Sequence, residues 1–122
     1  MTKPVSAPDA RSMHATFVSL FNAGDLDALV ELYEPDAVLN ATPGAPVSGK
    51  DAIRGALQGF LALGGKISIN TLDAVERPDG IALTYGEWSV KGGSTEMGGK
   101  SVEVLRRQPD GRWLYIIDNP AL

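Results

Sequence analysis

The stretch NAGDLDALVELYEPDAVL, residues 22–39, contains the change from helix to strand on which the fold depends. Gly24 favours the end of one helix, because glycine adopts the left-handed conformation of a helix stop at little steric cost. Asp25 is a suitable N-cap for a second helix. Pro35 predicts the end of that helix, since the residue before a proline is kept out of the α region. Residues 36–40 then have the composition of a short strand.

Helical patterns lie on both sides of this stretch. The apolar residues before it recur at the spacing of one helix face: Met13, Phe17, Leu20 and Phe21. Ser6-x-x-Asp9 predicts the start of this first helix. After a loop rich in proline and glycine, Ser48-x-x-Asp51 predicts the start of a third helix, which Gly64 and the glycine after it end.

From Lys66 onward the apolar period changes from helical to alternating, which predicts four antiparallel strands. Turn sequences separate them: Pro-Asp-Gly at 78–80 and at 109–111, and Gly-Gly-Ser at 92–94, so the second strand is expected from about Ile81 to Lys91. Gly98 and Gly99 predict a bulge within the third of these strands. Helices followed by strands indicate an α+β fold, with three helices packed on one face of a curved antiparallel sheet.

The composition excludes several classes of protein. A length of 122 residues favours one domain over residues 1–122. The absence of cysteine excludes a disulfide scaffold, thiolate catalysis and cysteine zinc sites. A net charge of −4 disfavours binding to nucleic acid. No apolar run approaches the ~18 residues that cross a membrane, and the N-terminus has no apolar secretory core, so we expect a cytoplasmic domain.

Four segments carry a family resemblance: residues 22–39, SGKDAIRGAL (48–57), SVEVLRRQPDGRW (101–113) and YIIDNP (115–120). They resemble the SnoaL-like, ketosteroid-isomerase-like branch of the nuclear-transport-factor-2-like superfamily. The resemblance implies a cystatin-like cone, in which three helices pack on a strongly curved sheet around an internal pocket. The superfamily includes isomerases, cyclases, hydrolases, dehydratases and non-catalytic binding domains, so the resemblance implies the fold more narrowly than the function.

In such a cone every second side chain of a long strand faces the pocket. This alternation places Glu87, Glu103 and Asp118 inside, with Glu103 and Asp118 as the candidate catalytic acid and base. The other expected pocket residues are mainly apolar: Phe17, Leu20, Tyr33, Leu39, Asn40, Tyr85, Leu105 and Ile116, with Tyr33 or Tyr85 as a phenolic donor. Burial and a neighbouring like charge both raise the pKa of a carboxyl group, so such a pocket can keep an acid protonated near neutral pH. A register error of one residue would turn these side chains to solvent instead.

The resemblance also has consequences for the reaction. The catalytic aspartate of the ketosteroid isomerases corresponds to Ala41, and their helix tyrosine corresponds to Phe17. Their acid that donates into the oxyanion hole corresponds to Glu103. Steroid isomerisation by that mechanism is therefore not expected. Two interpretations remain. One is a cofactor-independent acid–base enzyme, of isomerase, cyclase or hydrolase type, acting on a small, mostly apolar molecule; the other is a non-catalytic ligand-binding or dimerisation module.

Three further residues bear on binding. His14, the single histidine, lies near the apolar face of the first helix and could shuttle protons if it faces the pocket. One histidine with scattered carboxylates predicts no metal site. Trp88 and Trp113 alternate with the inward positions, so we expect both on the outer face of the sheet. In the family that face is commonly covered by a second copy, which implies a homodimer.

Overall fold

The computed structural model describes Ala7 and residues 9–122 and shows three helices packed on a curved, open sheet of six strands. The helices are α1 (Met13–Asn22), α2 (Leu26–Val30) and α3 (Lys50–Ala62). The strands are β1 (Tyr33–Leu39), β2 (Val47–Ser48), β3 (Lys66–Glu76), β4 (Ile81–Lys91), β5 (Met97–Arg107) and β6 (Trp113–Asn119). Within the described part of the chain, no helix has the length and apolar character needed to cross a membrane.

The first two helices begin at polar side chains. Ser6 lies outside the described residues, but the carboxylate of Asp9 accepts hydrogen bonds from the backbone N–H and the hydroxyl of Ser12, directly before α1. Asp25 caps α2 as predicted, because its carboxylate accepts a hydrogen bond of 3.2 Å from the backbone N–H of Ala28.

The segment between α2 and α3 departs from the prediction. Pro35 lies inside β1 and does not end a helix. The pairing of β1 with β6 shifts register between Tyr33 and Val38, so the missing N–H of Pro35 interrupts no regular ladder. Part of the expected loop forms β2, which pairs with the end of β1. Gly49, with φ 87°, precedes α3 without a side-chain cap, so the predicted capping box at Ser48 does not form.

The sheet has the strand order β2-β1-β6-β5-β4-β3. Strands β3 to β6 form the predicted antiparallel meander, and β4 has the predicted bounds. Among the described strands, β1 and β6 form a parallel pair within an otherwise antiparallel sheet. This pairing joins the helical half of the chain to its last strand.

The bulge that matters for the inner face is in β6. Gly98 and Gly99 pair in regular register with β4, so the bulge predicted there is absent. In β6, Val104 pairs with Ile117 while Leu105 pairs with Tyr115, which leaves Ile116 as the extra residue. Tyr115 and Asp118 are three positions apart and would face opposite sides of a regular strand. The extra residue lets both be buried on the inner side.

Strand β4 has its faces opposite to the expectation. Thr84 is buried, whereas Tyr85 is 37% exposed and Glu87 is also exposed. The alternating period is correct but the face is wrong, and a change of one position turns every side chain of a strand over. Tyr85 and Glu87 therefore face away from the helices. Thr84 pairs with Glu103 of β5 and lies beside it on the inner face.

Neither tryptophan lies on the outer face. Trp88 lines the internal cavity, and its indole N–H donates a hydrogen bond of 2.9 Å to the carbonyl oxygen of Pro120. Trp113 is 2% exposed, and the guanidinium of Arg107 lies 5.8 Å from the centre of its ring. The expectation that these two residues form an exposed dimer face is therefore wrong, because the faces of β4 are reversed and Trp113 is covered within its own chain.

The homodimer itself stays a prediction, and the exposed apolar residues of the outer face include Val75, Leu83, Tyr85 and Ile117. Since Leu83 and Ile117 both pair with Val104, they form one row across three strands.

If this face pairs with a second copy, Tyr85→Glu would bury a charge and dissociate the dimer. Sedimentation equilibrium should give about twice 12.9 kDa for the unchanged protein and for Gln58→Glu, on the exposed side of α3, but 12.9 kDa for Tyr85→Glu. A monomeric unchanged protein would contradict the prediction.

Candidate active site

A cavity lies between the helices and the inner face of the sheet. It has about 590 Å³ of empty space, a figure that includes open solvent at its mouth. The lining is mainly apolar and aromatic: Phe17, Phe21, Leu39, Leu57, Phe60, Ile67, Ile69, Trp88, Val90, Tyr115 and Pro120. The remaining lining residues are polar: His14, Ser101, Glu103 and Asp118. The cavity therefore combines an apolar enclosure with a small group of ionisable side chains.

Glu103 and His14 form a buried pair at the centre of this polar group, and each is 3% exposed. Nε2 of His14 is hydrogen-bonded to Oε1 of Glu103. The hydroxyl of Thr84 donates a second hydrogen bond, of 2.7 Å, to the same oxygen. On the other side of the ring, Nδ1 of His14 is 2.7 Å from the hydroxyl oxygen of Thr71. The imidazole thus connects α1 to β3 and β5 and holds the carboxyl group of Glu103 in one orientation.

Local sequence explains why His14 fits there. It stands three and seven residues before Phe17 and Phe21, a spacing that puts all three on one face of α1. Its ring lies against Gly86 of β4, where a Cβ atom would be 3.3 Å from Cε1 of His14 and 2.6 Å from the carbonyl oxygen of Asn70. Glycine at this position therefore leaves the space that the imidazole occupies.

Asp118 is the second buried carboxyl group, and the phenol of Tyr33 donates a hydrogen bond of 2.6 Å to its Oδ2. Burial raises the pKa of Asp118 to about 7, and the charge of Glu103 adds to this rise. The hydrogen bond from Tyr33 and the proximity of His14 oppose it. Burial also raises the pKa of Tyr33 well above its ordinary value, so the phenol stays protonated as a donor.

Each carboxyl group has one oxygen atom that accepts no hydrogen bond from the described residues. The hydrogen bonds that described residues make to these groups involve only Oε1 of Glu103 and Oδ2 of Asp118. Among the described residues, no fully buried side-chain nitrogen or oxygen lacks a partner, so Oε2 and Oδ1 are reachable from the cavity. The two residues are direct partners on β5 and β6 and lie on the same face. Two carboxyl groups can therefore act on one small molecule.

The polar groups of the cavity are of the kinds that transfer protons. In the part of the chain that the structure describes, no lysine or arginine lines the cavity. Over Ala7 and residues 9–122, no group of three or more histidine, cysteine, aspartate or glutamate side chains is placed to hold a metal ion. The polar groups that remain are carboxyl, imidazole and hydroxyl groups, the ordinary donors and acceptors of acid–base catalysis.

Part of the expected pocket lies where the sequence places it. Glu103, Asp118, Phe17 and Leu39 all line the cavity. Tyr33 does not line it but lies directly behind Asp118, where its hydroxyl holds that carboxyl group. The inward alternation of β5 is correct, which is why Glu103 is at the expected position.

Six other expected pocket residues do not line the cavity: Leu20, Asn40, Tyr85, Glu87, Leu105 and Ile116. Leu20 is half-buried and packs beside the core, while Leu105 is fully buried within it. Asn40 follows the end of β1, and its amide donates a hydrogen bond of 3.1 Å to Oδ1 of Asn119. Ile116 is half-buried at the bulge of β6, and the reversed faces of β4 put Tyr85 and Glu87 outside.

Comparison with known proteins shows which family the chain belongs to. The family model of the SnoaL-like domain matches residues 14–116, which is most of the chain. The chain belongs to the SnoaL-like family. The match includes His14 and Glu103 and ends before Asp118. No curated protein matches the sequence.

Several solved structures have the same fold as this SnoaL-like domain. A ketosteroid isomerase-like protein from Erwinia carotovora atroseptica is 16% identical, with a TM-score of 0.74, over 98% of this chain and 95% of that chain. A nuclear-transport-factor-2-like protein of unknown function from Shewanella oneidensis is 20% identical, with a TM-score of 0.73, over 84% and 88%. Another such protein, from Novosphingobium aromaticivorans and described as having a cystatin-like fold, is 20% identical, with a TM-score of 0.68, over 89% and 76%. At these identities the similarity shows the fold alone.

Proposed function

We propose that this SnoaL-like domain is a cofactor-independent enzyme that transfers protons on a small, mostly apolar carbonyl compound. One observation carries the proposal. Glu103 and Asp118 lie opposite each other on adjacent strands, in a mainly apolar cavity, each with one carboxyl oxygen open to it. Two acids in one apolar enclosure are costly to bury, and this arrangement is typical of acid–base sites.

The two acids have different surroundings, which suggests different roles. Glu103 is held by His14 and Thr84 through Oε1, so its carboxylate can use Oε2 as a general base. Asp118, with a pKa of about 7, holds its proton in about half of the molecules at neutral pH and can act as the acid. In the proposed step Glu103 takes a proton from the carbon next to the carbonyl group, and Asp118 gives its proton to the carbonyl oxygen. The product is an enol, which in an unsaturated ketone is a conjugated dienol. Glu103 then returns its proton to another carbon of the conjugated system while Asp118 takes back the proton of the enol hydroxyl, and the product is an isomeric ketone.

The similarity to a ketosteroid isomerase-like structure shows the fold, and the proposed reaction class rests on the two acids in the cavity. The position of the ketosteroid isomerase base is Ala41, which carries no acid, and Phe17 has no hydroxyl group. We therefore propose different roles in this chain: Glu103, which the resemblance places at the position of the ketosteroid isomerase acid, is the base, and Asp118 is the acid. Both come from the last two strands of the sheet, β5 and β6.

Deuterium exchange tests this proposal without knowledge of the natural substrate. We expect the protein to accelerate exchange of the protons next to the carbonyl group of small cyclic ketones in deuterium oxide, followed by proton NMR. Suitable probes are cyclohexanone, α-tetralone and α-decalone. Glu87→Gln, on the outer face of β4, should exchange them at the unchanged rate. Binding of these ketones without exchange faster than in buffer would overturn the proposal and favour a non-catalytic binding module.

A further inference from the structure

Tyr115 is one of two buried polar side chains of the cavity, with Ser101, that the proposed acid–base pair does not use. It is 2% exposed and lines the cavity on β6. Tyr33 is buried to the same degree, but its hydroxyl donates to Asp118. Among the described residues, none forms a hydrogen bond with the hydroxyl of Tyr115. Buried tyrosine hydroxyls ordinarily find a partner, so this one has a donor to offer.

The cavity is the space nearest to the hydroxyl of Tyr115 that a ligand can occupy, because Tyr115 lines it. In the described part of the chain, every fully buried side-chain oxygen has a hydrogen-bond partner, so the phenol oxygen of Tyr115 must be reachable by a small molecule. Burial raises the pKa of Tyr115 well above its ordinary value, and the charges of Asp118 and Glu103 add to the rise. The phenol therefore lies near both carboxyl groups and stays protonated, so it can donate a hydrogen bond.

The ring of Tyr115 is fixed by its neighbours. Its centre lies 5.1 Å from the ring of Tyr33 and 6.4 Å from the ring of Phe17, which it meets edge to face. A donor on a ring packed in this way is oriented before a ligand arrives, so little conformational freedom is lost on binding. The position of the hydroxyl is thus a property of the folded chain.

We propose that Tyr115 donates a hydrogen bond to an uncharged oxygen atom of the ligand, so that the cavity selects neutral, apolar molecules carrying a carbonyl or hydroxyl group. Anionic molecules are disfavoured, because the described lining contains two carboxyl groups and no lysine or arginine. The inference rests on the proposed function for the cavity that it uses, but it concerns binding and is tested by binding.

Three related probes separate the contributions of the hydrogen bond, the apolar contacts and the charge: α-tetralone, its hydrocarbon tetralin, and tetralin carboxylate. The loss of a neutral hydrogen bond corresponds to a roughly 2- to 10-fold change in affinity. Tyr115→Phe should therefore lower the affinity for α-tetralone by this factor. Tetralin should bind Tyr115→Phe as well as it binds the unchanged protein. The carboxylate should bind the unchanged protein at least ~10-fold more weakly than the ketone does, because no basic side chain compensates its charge. Tyr85→Phe, on the outer face, is the matched control and should change no affinity.

Several outcomes would overturn the inference. Two concern Tyr115→Phe: an equal loss of affinity for the ketone and the hydrocarbon, or no loss for either. Two concern the unchanged protein: tighter binding of the carboxylate than of the ketone, or failure to bind α-tetralone. Since Tyr115→Phe removes no hydrogen bond within the described chain, its melting temperature should stay close to that of the unchanged protein. If the variant does not fold, the Cζ resonance of labelled Tyr115 in the unchanged protein should move with α-tetralone and not with tetralin; equal movement overturns the inference.

The two proposals fail in distinguishable ways. Ketone binding that depends on Tyr115, without deuterium exchange, would refute the proposed enzyme and leave the ligand class standing. Exchange that proceeds while Tyr115→Phe leaves ketone affinity unchanged would refute the role of Tyr115 and leave the enzyme standing.

Discussion

Glu103→Gln is expected to lower the rate of ketone deuterium exchange about 10²- to 10⁴-fold, the usual contribution of a general base. Glutamine has nearly the same shape as glutamate, and its amide oxygen can still accept the hydrogen bond from Thr84. An amide, however, cannot take a proton from carbon near neutral pH. The affinity for α-tetralone should change much less than the rate, because the oxygen of the ketone is held by Tyr115 and Asp118. Exchange rates at saturating ketone, with circular dichroism as a check on folding, measure the effect.

The matched control makes the same chemical change on the other side of the sheet. Glu87→Gln also replaces a glutamate on a long strand, but its side chain is exposed and faces away from the cavity. It should keep the full rate of exchange. Equal loss in both variants would point to a general effect of charge, and full activity of Glu103→Gln would show that another group is the base.

Local chemistry was sufficient for much of the fold. The strand β4 begins and ends at the predicted residues, Ile81 and Lys91, because the turns on either side of it contain glycines. Gly80 and Gly92 both have φ near +90°, which other residues rarely adopt, so the ends of the strand are determined within a few residues of sequence. Helix bounds were predicted less well, since side-chain caps form at some helix starts and not at others.

The faces of the strands could not be predicted in the same way. In the first half of β4 the larger apolar side chains, such as Leu83, lie outside, and small residues such as Ala82 lie inside. Sequence pattern favours the apolar set for the inner face, but His14 lies close against Gly86 and leaves little room on the inner face there. The bulge at Ile116 contains no glycine that would indicate it in the sequence. It follows from the burial of both Tyr115 and Asp118, which is a property of the packed molecule.

The site shows the same division between local and distant causes. Glu103 is at its expected place because the alternation of β5 is regular. The partners of His14 come from distant strands: Thr71 is 57 residues away and Glu103 is 89 residues away. No sequence pattern joins such positions in a single chain. The spacing of His14 with Phe17 and Phe21 would have placed it on the inner face of α1, and this was the one local indication of its role.

The stability of the protein is expected to decrease, through Asp118, as the pH rises from about 4 to above 7. The ordinary pKa of this aspartate is 3.8 and its pKa in the folded protein is about 7. Below 3.8 the group is protonated in both states. Between the two values the folded protein keeps a proton that the unfolded chain has released, so the free energy of unfolding falls with rising pH. A difference of this size corresponds to about 4 kcal/mol as an order of magnitude.

Asp118→Asn removes this dependence and so tests it. Asparagine resembles the protonated acid, and its amide oxygen can still accept the hydrogen bond from Tyr33. Near pH 4 the variant and the unchanged protein should have similar free energies of unfolding in urea. Above pH 7 the variant should be more stable by a few kcal/mol, because it has no buried charge to desolvate. Asp36→Asn, an exposed aspartate on β1, is the control and should follow the pH profile of the unchanged protein.

Parallel pH profiles for Asp118→Asn and the unchanged protein would contradict the burial argument. The same variant also separates stability from function, because its amide cannot give the proton that the proposed step requires from Asp118. We expect it to lose exchange activity at and below pH 7, where Asp118 of the unchanged protein carries the proton. Such a result would mean that Asp118 lowers the stability at neutral pH and is needed for exchange. Its neighbours in the folded protein are Tyr33, which donates a hydrogen bond to it, and Glu103, its partner on the adjacent strand. A variant that gained stability and kept full activity would instead show that Asp118 is not the acid.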